Sequence, residues 1–204
     1  MKHDNMLLNR ASQWVRKCFQ YIHCKHCIFH NYNHTQETVV AGKEIAVGMQ
    51  VSDNELETVL LACWFHDLGM LYSSCNHEER SAGKAEEFLK KHAVGEEKIK
   101  DVKACIMATV MPQKPAVLLE KIVCDADIAH LGEMNYFEKN SLLRQEFELN
   151  QNKPYSDLEW WLLNKEFFQE HQYFTRYARQ RYDRQKDLNL TVITNRLKRN
   201  TIQQ

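Results

Sequence analysis

The chain has 204 residues, and its 27 lysines and arginines balance 27 aspartates and glutamates to a net charge of zero. That length suits one domain with a sizeable core, and the balance argues against whole-chain steering to nucleic acid. Six glycines and three prolines favour long helices over a turn-rich β fold, and no apolar run nears the ~18 residues that a membrane span needs.

The opening Met1-Lys2-His3-Asp4-Asn5 has no apolar signal-peptide core behind it. With seven cysteines and no regular framework, reduced thiols in a cytoplasm are the expectation. Leu7, Leu8, Ala11, Val15, Cys18, Phe19 and Ile22 recur at three- and four-residue steps, which predicts an amphipathic helix over about residues 5–29. It ends in His23-Cys24-Lys25-His26-Cys27. On a helix these side chains would gather to one side, but a closed zinc site shows two ligand pairs across a longer loop. The cluster therefore reads as a thiol and imidazole surface rather than as a zinc site.

Asn31 or Asn33 caps a second helix running through Val39, Val40, Ala41, Ile45, Ala46 and Met49. His34 falls in its first turn, where a lone imidazole is ordinarily a cap or solvated. Ser52 and Asp53 start a third helix, with Glu55 at its positive end. Leu56, Val59, Leu60, Ala62, Cys63 and Phe65 make it apolar nearly all round, as for a helix inside a core. It closes on His66-Asp67, with Gly69 read as its stop. Buried charge is costly unless compensated, and a bound cation is one such compensation.

His77-Glu78-Glu79 opens the next helix, His92 and Gly95 end it, and residues 96–108 form another before the break at Met111-Pro112-Gln113-Lys114-Pro115. Leu118, Leu119, Ile122 and Val123 lead into Cys124-Asp125-Ala126-Asp127. Two residues apart on a helix, Asp125 and Asp127 point about opposite ways. Asp127 lies on the apolar stripe between Val123 and Leu131, which leaves Asp125 as a cap or surface carboxylate. Residues 133–150 read as helix, and a restart follows at Ser156. The last segment interleaves Trp160, Trp161, Phe167, Phe168, Tyr173, Phe174, Tyr177 and Tyr182 with Arg179, Arg181, Arg184 and Lys186. Such a mixture can bind single-stranded nucleic acid, but the neutral chain favours rings packed on the core and solvated arginines. The tail from residue 197 is expected to fray.

His34, His66, Asp67 and Asp127 are the collected candidates, a mixed nitrogen and oxygen set suited to a divalent transition metal. The residues around them resemble the HD-domain superfamily of metal-dependent phosphohydrolases. The pattern here is His30-Asn31-x-x-His34-Thr35, Phe65-His66-Asp67-Leu68-Gly69, His77-Glu78-x-x-Ser81-Ala82 and Asp125-Ala126-Asp127, spread over residues 29–132. The run Ala108-Thr109-x-Met111-Pro112, with residues 160–182 further on, is similar to bacterial HD proteins with the same C-terminal helices.

The resemblance implies an all-α, single-domain multi-helix bundle over residues 1–204. Its metal site would lie in the helical core, and residues 133–200 would pack on the motif-bearing part. It implies a divalent ion (manganese, iron, nickel, cobalt, zinc or magnesium) held by His34, His66, Asp67 and Asp127. Activated water would then cleave an ester or diester bond of a nucleotide or other small phosphorylated molecule. His77 matches the first extra histidine of two-metal members, but Met107-Ala108-Thr109 supplies none of the others, so one metal is expected. Asp67 would orient the water and His77 would donate a proton or hold phosphate. Phosphoryl transfer also calls for cations; Lys84 and Lys114 are the candidates, and no glycine-rich phosphate loop is present. The competing readings are an HD-fold di-iron oxygenase and a non-catalytic nucleotide-binding or regulatory module. The expected partner is a small phosphorylated molecule, with neither membrane nor nucleic acid and with a homodimer left open.

Overall fold

The computed structural model describes residues 4–22 and 24–202, and among these every regular element is helical. The α-helices are α1 (Asp4–Tyr21), α2 (Tyr32–Gly48), α3 (Asp53–Phe65), α4 (His77–Lys91) and α5 (Glu96–Met107). They continue as α6 (Leu118–Asp127), α7 (Tyr136–Gln151), α8 (Asp157–Glu170) and α9 (Arg176–Ile202). Two 3-10 turns, Leu68–Leu71 and Ala129–Gly132, follow α3 and α6. No described helix is long and apolar enough to cross a membrane.

Local chemistry sets the helix starts. The Asn31 side chain accepts from the N–H groups of Asn33 and His34 and begins α2. Ser52 and Glu55 close a reciprocal capping box at α3, and Ser156 and Glu159 do the same at α8. Each such cap stabilises by about 1 kcal/mol. Helix α3 is the centre of the larger core and packs against α1, α2, α5 and α6. Val59, Leu61, Ala62, Cys63 and Phe65 are fully buried on it. On α2, a Cβ at Gly42 would lie 2.7 Å from Cys63 Sγ and 3.6 Å from Ala126 Cβ. Helices α2, α3 and α6, which carry His34, His66 and Asp127, thus meet where only a hydrogen fits.

A second apolar cluster joins Ile128, Leu131, Tyr136, Phe168, Ile193 and Leu197, binding α7, α8 and α9 to the turn after α6. Beside it lies a closed polar network. Trp160 Nε1 donates to Asn140 Oδ1 at 2.7 Å, and Tyr136 Oη and Asn140 Nδ2 donate to Asn164 Oδ1 at 2.7 and 2.5 Å.

Several local expectations are corrected. Helix α1 stops at Tyr21 instead of running to 29, because its apolar stripe is exhausted there and the chain must turn back to lay Phe29 on the core. The Cys/His cluster therefore sits on a loop and shares no helical face. Cys24 and Cys27 are joined as a disulfide, against the expectation of reduced thiols throughout, while Cys18, Cys63, Cys75, Cys105 and Cys124 are free. His23 lies outside the described residues.

Asp125 is fully buried rather than a surface group. It accepts the backbone N–H of Phe174 at 2.7 Å and of Thr175 at 2.8 Å, just ahead of α9. Both carboxylates of Asp125-Ala126-Asp127 face inward because α6 is covered on two sides. Helix α9 continues through Ile202 without fraying at residue 197, since Leu197 packs into the second cluster. The rings of Trp160, Phe168, Tyr173 and Tyr182 are buried.

Candidate metal centre

Three helices deliver four side chains to one point. His34 comes from the first turn of α2, His66 caps the C-terminus of α3, Asp67 follows it, and Asp127 is the last residue of α6. Their ligand atoms all lie within 4.8 Å of one another. His66 Nε2 is 3.1 Å from Asp67 Oδ2 and 3.4 Å from Asp127 Oδ1, and His34 Nε2 is 3.3 Å from each of the same oxygens. The two Nε2 atoms face each other at 3.4 Å.

Donor chemistry fits a divalent cation. His66 Nδ1 stands 2.9 Å from the Cys63 carbonyl, to which only an N–H can donate, so the lone pair belongs to Nε2 and points into the cluster. Asp67 Oδ2 is buried and has no hydrogen-bond partner despite its imidazole neighbours. The two Nε2 atoms and the carboxylate oxygens converge on a common centre, the arrangement that a cation satisfies. Burial opposes charge on all four groups, but their mutual attraction outweighs it. His34 and His66 are raised, and Asp67 and Asp127 are held below the ordinary carboxylate range. Binding a cation would displace the imidazole protons.

His77, the first residue of α4, stands on the open side of Asp67. Its Nδ1 donates to the Ser74 carbonyl at 3.1 Å and its Nε2 is 3.4 Å from Asp67 Oδ1. Burial lowers its pKa, but the hydrogen bond and charge of Asp67, with Glu78 and Ser74, lift it to about 8. Gly69 seats this helix. Its N–H donates to Ser81 Oγ at 2.8 Å, and an added Cβ would lie 2.0 Å from the His77 carbonyl oxygen. Helix α3 has already ended at Phe65, so Gly69 provides a close approach and not a stop.

Three residues, Glu146, His30 and His130, escaped sequence reasoning as site members. Glu146 of α7 is buried and accepts the N–H of Phe29 at 2.8 Å, the N–H of His30 at 3.0 Å and the His30 ring at Nδ1. His30 is thereby fixed with its ring 5.6 Å from that of His34 and 6.3 Å from that of His77. The signal available was His30 itself, one turn before His34; nothing local could flag Glu146, 116 positions away. His130 packs edge-on against Phe29, and burial drives its pKa down to about 3, so it is neutral.

A cavity of about 340 Å³ opens onto Asp67, Asp127, His30 and His77. Its far wall comes from the loop before α2 and from α7 and α8, through Phe29, Leu143, Phe147, Trp160, Leu163 and Phe167. The structure does not bring Lys84 and Lys114 to it. Lys84 pairs with Glu87 at 3.0 Å on the outer face of α4, whose inner face is Ser81, Ala82, Ala85 and Phe88. Lys114 is exposed, and its loop instead sends Gln113 Nε2 to within 3.4 Å of Asp127 Oδ2.

The family profile of the HD domain matches residues 31–132, half of the chain and the part that holds all four clustered ligands. The chain belongs to the HD-domain family. HD domains are in general metal-dependent hydrolases that bind a divalent ion, and the His/Asp cluster is where this HD domain could hold one. The crystal structure of the Lin1889 protein from Listeria innocua is similar in fold. It covers 95% of this chain and 94% of its own, with a TM-score of 0.63 at 19% identity. No curated protein matches the sequence. Helices α7, α8 and α9, which supply Glu146 and much of the cavity wall, lie outside the HD-domain match.

Proposed function

We propose that this HD-domain protein is a one-metal phosphohydrolase. It hydrolyses an ester or diester bond of a nucleotide or other small phosphorylated molecule, with His34, His66, Asp67 and Asp127 as the metal ligands. The observation that carries this reading is the buried, unpartnered Asp67 Oδ2 among two imidazole lone pairs and a second carboxylate, at the floor of a ligand-sized cavity. A divalent cation bound there supplies Lewis acidity toward a water and a phosphoryl oxygen.

The chain's own groups do the rest. Asp67 directs Oδ2 to the cluster and Oδ1 to His77, so one carboxylate can orient both a ligand-side water and the His77 ring. His77, anchored through Nδ1 on Ser74, presents Nε2 to the cavity as a donor to the phosphoryl or leaving oxygen. His30, fixed by Glu146, stands across from it. The apolar wall excludes bulk water, which strengthens these electrostatic contacts.

Purified protein reconstituted with manganese or cobalt is expected to bind one metal per chain and to release phosphate from a panel of nucleotides and phosphate esters. His66→Ala and Asp67→Ala should lose metal and phosphate release together while retaining helical circular dichroism. Full activity in both variants would overturn the ligand assignment. Two irons per chain with dioxygen-dependent chemistry would replace hydrolysis by oxygenation.

A further inference from the structure

The cavity has two unlike ends. At the cluster end it carries the carboxylates of Asp67, Asp127, Glu78 and Glu146, and none of the described residues lining it is a lysine or arginine. Its only cationic candidates are His30 and His77. Glu146 already takes the His30 ring, and Glu78 lies 3.4 Å from His77 Nδ1. A divalent cation held by Asp67 and Asp127 would give one phosphoryl group a positive partner. With no lysine or arginine on the described lining, each further phosphate would be an unpaired anion against an apolar wall.

The far end offers ring faces and aliphatic carbon. The polar atoms of Trp160 and Asn164 on that wall are occupied. Trp160 Nε1 donates to Asn140, and Asn164 accepts from Tyr136 and donates to the Trp160 carbonyl at 2.7 Å. Phe147 and Trp160 meet edge to face with centroids 5.7 Å apart, leaving a wall on which a flat or aliphatic group can pack.

From this charge and shape we infer that the site selects a compound with a single phosphoryl group attached to an aromatic or apolar body. It turns away chains of phosphates, such as nucleoside triphosphates and inorganic pyrophosphate. Leu143, Phe147, Leu163 and Phe167 are then the residues that set specificity. The inference rests on the hydrolase reading for its orientation, with phosphate at the metal and body at the wall.

Non-hydrolysable probes separate the two. Phenylphosphonate, methylphosphonate and methylenediphosphonate are titrated calorimetrically into manganese-loaded protein with free manganese in excess. Phenylphosphonate is expected to bind at least tenfold more tightly than either of the others. Leu163 is 40% exposed and Asn150 sits on the cavity rim, so both positions tolerate a lysine whose stem lies along the wall. Leu163→Lys and Asn150→Lys should each raise the affinity for methylenediphosphonate at least tenfold.

Binding of methylenediphosphonate as tightly as phenylphosphonate overturns the inference, and so does a failure of phenylphosphonate to bind. So does an unchanged diphosphonate affinity in both folded lysine variants. Tight phenylphosphonate binding without phosphate release from phenyl phosphate or from any ester or diester of the panel would instead leave the selectivity standing and remove the hydrolase reading.

Discussion

Two glycines, Gly69 pressed against the start of α4 and Gly83 exposed on that helix, offer the sharpest test of how the site is assembled. In Gly69→Ala the new Cβ would sit 2.0 Å from the His77 carbonyl oxygen, 2.8 Å from the His77 carbonyl carbon and 3.0 Å from Arg80 Cβ. A carbon and a carbonyl oxygen approach to about 3.3 Å, so the first turn of α4 must retreat by ~1.3 Å. Overpacking of this kind costs up to ~3 kcal/mol. At this chain length each kcal/mol moves the melting temperature by about 2–4 °C, which gives a fall of ~6–12 °C. The retreat carries His77 away from Asp67, and a misplacement of ~1 Å is worth about a hundredfold in rate. Metal content should be retained, since His34, His66 and Asp127 lie elsewhere.

Gly83 on the same helix has nothing within 4 Å of its would-be Cβ. Gly83→Ala should therefore stabilise by ~0.5–1 kcal/mol through helix propensity alone. Calorimetric melts, metal analysis and steady-state kinetics on the pair decide the matter. A Gly69→Ala protein melting within about 2 °C of the native one, with unchanged kcat, would refute the steric reasoning.

Asp125→Ala should strand the buried Thr175 N–H and the part-buried Phe174 N–H and cost roughly 2–3 kcal/mol, read as a lowered urea midpoint. His171 is half-buried, but both its ring nitrogens are buried and unpartnered with Lys186 beside them, and burial holds its pKa down at about 3. The unfolded chain binds that proton near pH 6.5, so this stability is complete above about pH 6.5. It is lost toward pH 3 at up to ~1.4 kcal/mol per unit. His171→Phe should flatten that part of a stability–pH curve, and an unchanged slope would sink the assignment. Lys84→Ala and Lys114→Ala are expected to leave kcat/KM within about twofold and stability within ~0.5 kcal/mol, because both ammonium groups lie away from the cavity.

What could be read in the sequence was what is encoded locally. Asn31, Ser52 and Ser156 announce their helices through side chains that bond their own backbone, and α3 declares its burial by being apolar all round. The four clustered residues were collected through their donor chemistry and the HD resemblance; the chain by itself marks only His66-Asp67, which closes a core helix, while His34 alone reads as a cap or solvated group. Misreadings came where the partner is remote in sequence. Asp125 and Asp127 do point to different sides of α6, but what covers the Asp125 side arrives 49 residues later. Glu146 is ordinary until α7 folds back over His30. A lysine within reach along the chain, such as Lys84, can still lie on the wrong face of its helix. The α8–α9 break was missed because nothing in residues 171–175 marks it as strongly as the Asp125 carboxylate that holds it.

The last turn of α6 grips two things at once. Asp127 belongs to the cluster, and Asp125 fastens the backbone that opens α9. Any free energy that a bound cation adds to holding that turn is shared with the docking of the C-terminal helix, and thermodynamic reciprocity makes the exchange mutual. Filling the cluster should slow proteolysis between residues 171 and 175, and clamping α9 should slow escape of the ion. The C-terminal helix is then a gauge of metal occupancy that can be read from outside the cavity.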